Sequence, residues 1–479
     1  MIGGVDVLER CCEGLASGAV VAVLAVAVGL VFRACRFLHV ALGDLVTIGG
    51  AAAVWAAVAM DLPGMHAVLR SMGIVAIIAC CGAVCGGLNV ALEAVVFREL
   101  RSDPPVLSSI SSVGLSLAAV SMMSMTIGPE GLSITGVMPA ESLFPAFGRR
   151  PTTADILMLS TAVAVLTGVW MIRRRLLPAI APRDTVSAFT IGERDGMIDR
   201  TIRWNFLTSG ALAGTVGAVV ALTFSTITSA TGSHIGSKAL LAAAIASLGG
   251  IRAAIVGGLV IGMLHSVAGG FVGIEWSWPM TFLLLVVLIV VAPRGFLGRV
   301  TPGTGWFPPG NREERVVDTR SWAALVPCNE QSSVSSKSTG WSFVDDVVRS
   351  RRAGWVACSL LAILYVFVPS AEGWILAVPT IGLLLMALGA GAGWVGLLHL
   401  GVPGFFSLGW AIAHGLSNPS LPSRLGAVVS AGLAAALVGA GLAACTRRLE
   451  RSTFAIVTFV FSEAMLIAIA VLRARGAST

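Results

Sequence analysis

The sequence predicts an all-α protein, a polytopic bundle of transmembrane helices. Of its 479 residues, 56% are hydrophobic and 12% are charged, and the mean hydropathy is +0.89. Soluble domains average about 25% charged residues and about 45–50% apolar residues. So few charges could not cover a globule of this size with polar side chains. The 56 glycines fit the same class, because glycine is commoner in membrane helices than in soluble ones.

The individual helices are predicted from apolar segments, since a helix needs about 20 apolar residues to cross the bilayer. Each segment must be helical, because lipid offers no partners to backbone N–H and C=O groups. The fourteen segments lie near residues 12–32, 43–60, 73–97, 105–127, 153–172, 205–229, 238–250, 251–271, 276–292, 353–370, 372–392, 400–416, 425–445 and 453–472. Three of these are short and contain glycine, so we expect about 12–14 membrane segments, some of them short or re-entrant.

Basic residues predict the orientation, because cytoplasmic loops carry an excess of Lys and Arg. With the N-terminus outside and all fourteen segments crossing, 24 of the 32 basic residues lie inside. The 173–204 loop and the 293–352 region are then cytoplasmic. We therefore predict a multi-pass protein of the bacterial plasma (inner) membrane with its N-terminus outside. The bilayer accounts for the net charge of +7, and we expect no nucleic-acid partner.

Two related membrane units are predicted, one on each side of a polar stretch. The stretch combines prolines, mixed charges and the serine-rich run Ser332–Ser338, a composition that cannot bury enough apolar surface to fold. A shift of 360 residues places the first unit on the second and brings His39 onto His399. The predicted boundaries are a first unit over 1–299, a disordered cytoplasmic linker over 300–352 and a second unit over 353–479.

No enzymatic or metal-binding motif accompanies these segments. Neither Lys238 nor Lys337, the two lysines, lies in the G-x-x-x-x-G-K-[ST] sequence of a nucleotide-binding P-loop. The sequence contains no G-x-S-x-G and no H-E-x-x-H, and its nine cysteines form no C-x-x-C pair. We therefore predict a transport protein rather than an enzyme, without a metal or cofactor.

Glycine-rich and proline-containing motifs follow one another along most of the chain. In the first unit they are Gly18–Gly50 with Ala41, Gly43 and Asp44, then Gly128-Pro129-Glu130-Gly131, Leu248–Gly262 and Pro293–Arg299. In the second unit they are Gly393–Gly409 and Phe454–Glu463. In their order, these motifs resemble the permease subunits of branched-chain amino-acid ABC importers, a family in which two related permeases pair as a heterodimer.

The resemblance implies a fusion of two permease-like units. Residues 12–299 resemble the first permease along its whole length, whereas 372–472 resemble only the first part of the second, so the second unit is expected to be incomplete. The implied function is a permease subunit for branched-chain amino acids. The implied partners are separate ABC ATPase subunits, a soluble or lipid-anchored substrate-binding protein and a further permease subunit.

Some positions depart from the family pattern and keep alternatives open. His39 and Leu42 replace the family's Asn and His, and His399 and Val402 replace its Ser and His. A related small solute therefore stays open as the substrate. A secondary transporter that needs no ATPase, and a degenerate fusion protein that transports nothing, are the other two hypotheses.

Two sets of functional residues are predicted. Ionisable groups at membrane depth are costly and usually functional. Together with the repeat and the glycine-rich motifs, they predict a translocation path at His39, Gly43, Asp44, His399, Gly401 and Glu463. A histidine buried only for packing is the alternative interpretation of His39 and His399. The resemblance implies an ATPase-coupling helix with Asp184, Ala188 and Gly192 at four-residue spacing on one face, for which an ordinary surface helix is the alternative.

Overall fold

The chain forms two compact units, Met1–Trp306 and Phe307–Thr479. The computed structural model describes residues 4–35, 37–102, 105–128, 130–137, 152–180, 191–245, 251–273, 275–291, 399–416, 421–446 and 451–476. Nearly every element in these ranges is a helix, which confirms the all-α class. The predicted linker and the predicted segments 353–370 and 372–392 lie outside the described residues, so the predicted domain boundaries stay predictions.

The first unit contains nine α-helices in its described residues. They are α1 (Gly4–Cys35), α2 (Leu42–Ala59), α3 (Ala67–Leu92), α4 (Pro105–Ile127), α5 (Thr153–Ile180), α6 (Ile191–Phe224), α7 (Thr231–Ile245), α8 (Ile251–Val272) and α9 (Ser277–Val291). A π-helical turn, Glu93–Phe97, and a 3₁₀ turn, Glu99–Ser102, connect α3 to α4. A two-stranded antiparallel pair joins β1 (Leu132–Ser133) to β2 (Thr226–Ile227).

The second unit contains three described helices, α10 (Val402–Leu416), α11 (Leu421–Thr446) and α12 (Arg451–Gly476). Across the described residues of both units, nine helices are long and apolar enough to cross a bilayer. These helices confirm a polytopic membrane protein. The helices α7, α9 and α10 have 15 residues each and are shorter than a full span.

The repeat predicted from the sequence has a structural counterpart. The helices α2 and α10 begin 360 residues apart, at Leu42 and Val402, and α3 and α11 both contain 26 residues. In each unit the shorter helix packs against the two helices that follow it. These parallels support a repeat of a short helix followed by two longer ones.

The helix α1 lies at the centre of the first unit, where its residues from Ala19 to Val28 are all buried. A helix that is apolar on every side is expected in such a position. Its closest neighbour is α8, and glycines form the contact. A Cβ at Gly18 would lie 3.0 Å from the Cα of Leu259, and one at Gly258 would overlap the backbone of Ala22. Small residues allow this approach, as they do in other membrane helix pairs.

Candidate functional site

The chain breaks its helical path between α1 and α2, and His39 occupies the break. Only 1% of His39 is exposed, and its Nδ1 and Nε2 lie 3.0 Å from Ser112 Oγ and Asn89 Oδ1. Asn89 Nδ2 donates to the Phe206 carbonyl and to Ser209 Oγ, so its Oδ1 accepts from His39 Nε2–H. Both ring nitrogens are therefore bonded, and these contacts favour the packing interpretation of His39.

Hydroxyl groups of α4 hold the same break in place. The backbone N–H of Leu38 donates to Ser109 Oγ at 3.2 Å, and that of Ala41 donates to Ser112 Oγ at 3.2 Å. Three phenylalanines surround the histidine ring, Phe37, Phe97 and Phe206. We call His39, Asn89, Ser112 and Ser209 the break cluster. It joins α3, α4 and α6 around one irregular segment.

The second unit repeats this arrangement in a simpler form. The backbone N–H of Leu400 donates to Thr458 Oγ1 at 3.1 Å, just before α10 begins. Thr458 is the eighth residue of α12, and Ser112 is the eighth residue of α4. The half-buried His399 packs against the rings of Phe405 and Phe454. In each unit, therefore, the hydroxyl of the eighth residue of the third helix of the repeat accepts a hydrogen bond from the backbone just before the short helix.

Gly401 and Glu463 lie in the same region of the second unit. A Cβ at Gly401 would lie 3.0 Å from the Thr458 carbonyl oxygen and 3.0 Å from His399 Cε1. Glu463 is half-buried in α12 and follows Ser462. The backbone of Ser462 packs closely on α10, since a Cβ at Gly404 would lie only 2.7 Å from it. The structure thus brings His399, Gly401 and the α12 segment 458–463 together.

Gly43 and Asp44 lie on α2 where it packs against α7. A Cβ at Gly43 would lie 2.7 Å from the Gly232 carbonyl oxygen. Asp44 is 2% exposed and accepts a long hydrogen bond, 3.5 Å, from Ser233 Oγ. Thr47 Oγ1 accepts from the backbone N–H of Gly232 at 2.9 Å. These contacts fix the start of α7 against α2.

The predicted coupling residues are only partly described. Asp184 and Ala188 lie outside the described residues, and Gly192 is the second residue of α6. The sequence predicted the membrane helix to begin near residue 205 and Gly192 to lie on a short separate helix. Instead Gly192 belongs to a continuous helix of 34 residues. The charged residues between 193 and 203 misled the sequence-based boundary, because a helix that extends beyond the lipid carries charges on its extension.

An ion-pair cluster connects this extension of α6 to the α3–α4 connection. Arg101 bonds both Glu93 and Asp199, the latter at 2.5 Å, and Arg203 pairs with Asp199 at 3.0 Å. The Glu93 side chain is fully buried. Glu93, Arg98, Arg101, Asp199 and Arg203 are called the ionic cluster below. It joins the helix that carries Gly192 to the turn that carries Phe97.

A cavity of about 470 Å³ lies among α1, α5, α6, α7 and α8. Five ionisable side chains line it, Arg10, Glu13, Asp155, Lys238 and His265. Arg10 pairs with Glu13 at 3.1 Å. Asp155 accepts from the N–H and the hydroxyl of Thr152, and the two residues together cap the start of α5. The cavity lies toward the end of the bundle at which α1, α5 and α7 begin.

Lys238 is the feature of this cavity that sequence reasoning missed. Its Nζ lies 3.3 Å from His265 Nε2 and 5.2 Å from the centre of the Trp278 ring. The sequence offered one signal, a lysine followed by an apolar run, but the predicted segment 238–250 placed that lysine at a membrane edge. Because α7 begins at Thr231, Lys238 is in fact the eighth residue of its helix.

Comparison with known proteins agrees with this architecture. Residues 197–292 match the family model described as the permease component of branched-chain amino acid transport systems. The high-affinity branched-chain amino acid transport system permease proteins LivH of Salmonella typhimurium and LivH of Escherichia coli K12 are each 24% identical over 302 residues. BraD of Pseudomonas aeruginosa, described in the same words, is 23% identical over 296 residues. In each case the match covers 61% of this chain and 96% of the relative. No solved structure matches the chain at a comparable level of significance.

The apolar helices and these relatives define the class of the protein, a multi-pass membrane transport permease and not an enzyme. Within that class, the chain is related to the permease components of branched-chain amino acid transport systems. This confirms the family resemblance drawn from the glycine-rich motifs.

Proposed function

We propose that this chain is the permease subunit of an ABC importer that moves branched-chain amino acids, or a related small solute, into the cell. The observation that carries the proposal is the relation to LivH and BraD over 96% of their length. The energy would come from separate ATPase subunits, and a soluble or lipid-anchored binding protein would deliver the solute. A further permease subunit would be a partner of the chain in the importer.

The proposed orientation has the N-terminus outside, on the evidence of the basic residues. In that orientation the ionic cluster would lie near the inner surface and the Lys238 cavity would lie toward the outer surface. A binding protein would therefore meet the end of the bundle at which the cavity lies. The ATPase would meet the end at which α6 begins.

The proposed coupling contact is the loop before α6, with Asp184, Ala188 and Gly192. Its support in the described residues is that Gly192 and Asp199 lie on one helix, and that Asp199 belongs to the ionic cluster. A displacement at the start of α6 would then reach the α3–α4 connection without an intervening flexible loop. Phe97 at that connection contacts His39 of the break cluster.

The proposed translocation path still includes His39, Gly43, Asp44, His399, Gly401 and Glu463. The support differs among them. Gly43 and Asp44 lie against α7, which carries Lys238, so they adjoin a helix that lines a polar cavity. His39 has both ring nitrogens bonded and would act by holding the break before α2 in place.

Uptake into cells tests the proposal against its two rivals. The chain is expressed with ATPase, permease and binding-protein partners in a bacterial strain that lacks its own branched-chain importers. We expect uptake of radiolabelled leucine that requires both the chain and a hydrolysing ATPase. Uptake that persists without any ATPase would identify a secondary transporter. Uptake equal to that of cells without the chain would identify a non-transporting fusion.

A further inference from the structure

The cation of Lys238 has no carboxylate partner among the described residues, although the side chain lines a cavity inside a membrane bundle. Its polar contact is with a histidine, and its other contact is with the face of Trp278. The attraction of a cation to an aromatic face is small beside the cost of removing a charge from water. The ammonium group has three N–H donors, so it retains donors for a further acceptor.

The histidine beside it adds a second unsatisfied donor. An ammonium group only donates, so His265 Nε2 accepts from Lys238 and His265 Nδ1 carries the proton. Nδ1 is buried and has no hydrogen-bond partner within the described ranges, and the same holds for the indole nitrogen of Trp278. Buried polar atoms without partners are rare in folded proteins and call for an explanation. Of these residues, Lys238 and His265 line the cavity, whereas Trp278 contacts Lys238 without lining it. The Lys238 side of the cavity is therefore rich in donors that the described part of the chain does not satisfy.

The rest of the cavity carries both signs of charge, since Arg10 lines it and pairs with Glu13 at 3.1 Å. Glu13 and Asp155 line it with Lys238, and they come from α1 and α5, whereas Lys238 and His265 come from α7 and α8. A site with a donor-rich cationic side and carboxylates elsewhere on its wall matches a molecule that has both a carboxylate and an ammonium group. The volume of about 470 Å³ is within the range of small-molecule sites.

We propose that this cavity is a solute-binding site of the first unit, and that Lys238 binds the carboxylate of a zwitterionic amino acid while Glu13 and Asp155 face its ammonium group. The proposal rests on the proposed function and names the position at which an incoming amino acid is held. His265 is a positioning residue, because Ser277 Oγ and Lys238 Nζ both lie 3.3 Å from its Nε2.

Three small molecules that share the branched side chain of leucine test the assignment on the purified full chain in detergent. L-leucine carries both charged groups, 4-methylpentanoate has the carboxylate alone, and 3-methylbutylamine has the ammonium group alone. The measurement is binding, read from the rise in the thermal unfolding midpoint with concentration. We expect leucine to stabilise the wild-type chain most, 4-methylpentanoate less, and 3-methylbutylamine least.

Variants assign the effect to the cavity. Lys238→Met is expected to bind leucine at least about tenfold more weakly, and Lys238→Arg to retain part of the affinity. Ser17→Phe keeps the lysine but fills the cavity, so it should also lose binding. Arg252→Met is the matched control, since it removes one cation from an exposed position of α8 and should bind as wild type does.

The outcomes separate this inference from the proposed function. Equal stabilisation by 3-methylbutylamine and leucine, wild-type affinity in Lys238→Met and Ser17→Phe, or no binding of any of the three compounds would overturn the carboxylate site. Equal binding of 4-methylpentanoate and leucine would overturn the ammonium half of the assignment. Leucine uptake by cells is scored independently. Uptake without carboxylate-dependent binding refutes the site alone, and such binding without uptake refutes the importer alone.

Discussion

Two basic side chains of the first unit, the buried His39 and the half-buried Lys238, have opposite environments. His39 is enclosed on every side, and each of its ring nitrogens has a partner. Lys238 borders a cavity and keeps donors that no described carboxylate occupies. A satisfied polar group stabilises and orients the chain around it, whereas an unsatisfied one is available to a ligand. We therefore propose a structural role for His39 and a binding role for Lys238.

Removal of Asn89 tests the structural role of the break cluster. Asn89→Leu leaves His39 Nε2–H and the Phe206 carbonyl without the amide that they share. A buried group that loses its partner costs about 1–3 kcal/mol, so we expect a lower thermal unfolding midpoint in detergent. Asn205→Leu is the control, because its described hydrogen bond stays within α6. Equal midpoints for the two variants would contradict the role of the cluster.

At the scale of elements, the ionic cluster determines how α6 is fixed to the α3–α4 connection. Glu93 has no exposed surface, whereas Arg203 is 46% exposed. Removal of one partner of a buried pair leaves an uncompensated charge, which costs about 3–5 kcal/mol. An exposed pair four residues apart on a helix contributes only about 0.3–0.5 kcal/mol. The cluster therefore contains one ion pair whose disruption is strongly destabilising and other pairs whose disruption costs little.

We expect Arg101→Met to lower the free energy of unfolding by about 3–5 kcal/mol, and Arg203→Met by less than about 1 kcal/mol. Glu93→Gln added to Arg101→Met should recover part of the loss, because it neutralises the buried carboxylate. Denaturant unfolding of the four proteins in detergent measures these differences. An Arg101→Met variant as stable as Arg203→Met would show that the buried pair contributes nothing.

The elements also show what the sequence could and could not predict. Apolar length predicted α4 and α8 to within a residue, because those helices are bounded by lipid on most sides. It failed for α6, where charged residues continue the helix beyond the apolar run, and for α7, where the uncharged and mostly polar residues 231–237 begin the helix. The contacts of Lys238 with His265 and Trp278 join α7, α8 and α9. No local sequence pattern predicts these contacts, because the three residues lie on different helices. The path residues and the coupling residues remain predictions.

For the molecule as a whole, the proposed coupling requires a surface at the start of α6 that an ATPase can contact. Gly192→Trp should prevent close approach of the partner and leave the membrane helices intact, because surface changes usually cost within about 0.5 kcal/mol. We expect normal abundance in the membrane, loss of ATPase co-purification and loss of uptake.

The control for Gly192→Trp is Gly87→Trp, at an exposed position of α3 with open space around it. It adds the same side chain away from the proposed contact and should retain ATPase association. Unchanged uptake in Gly192→Trp would show that this loop is not the contact, and a loss of protein from the membrane would show that the loop is structural.

In the proposed importer, ATP hydrolysis by a separate subunit drives solute through this permease. Proteoliposomes that contain the full chain, its ATPase and permease partners and a leucine-loaded binding protein test it most directly. We predict that radiolabelled leucine crosses the bilayer when ATP is supplied on the ATPase side, and that ADP or a non-hydrolysable analogue supports no transport. Leucine transport at the same rate with and without ATP would contradict the account.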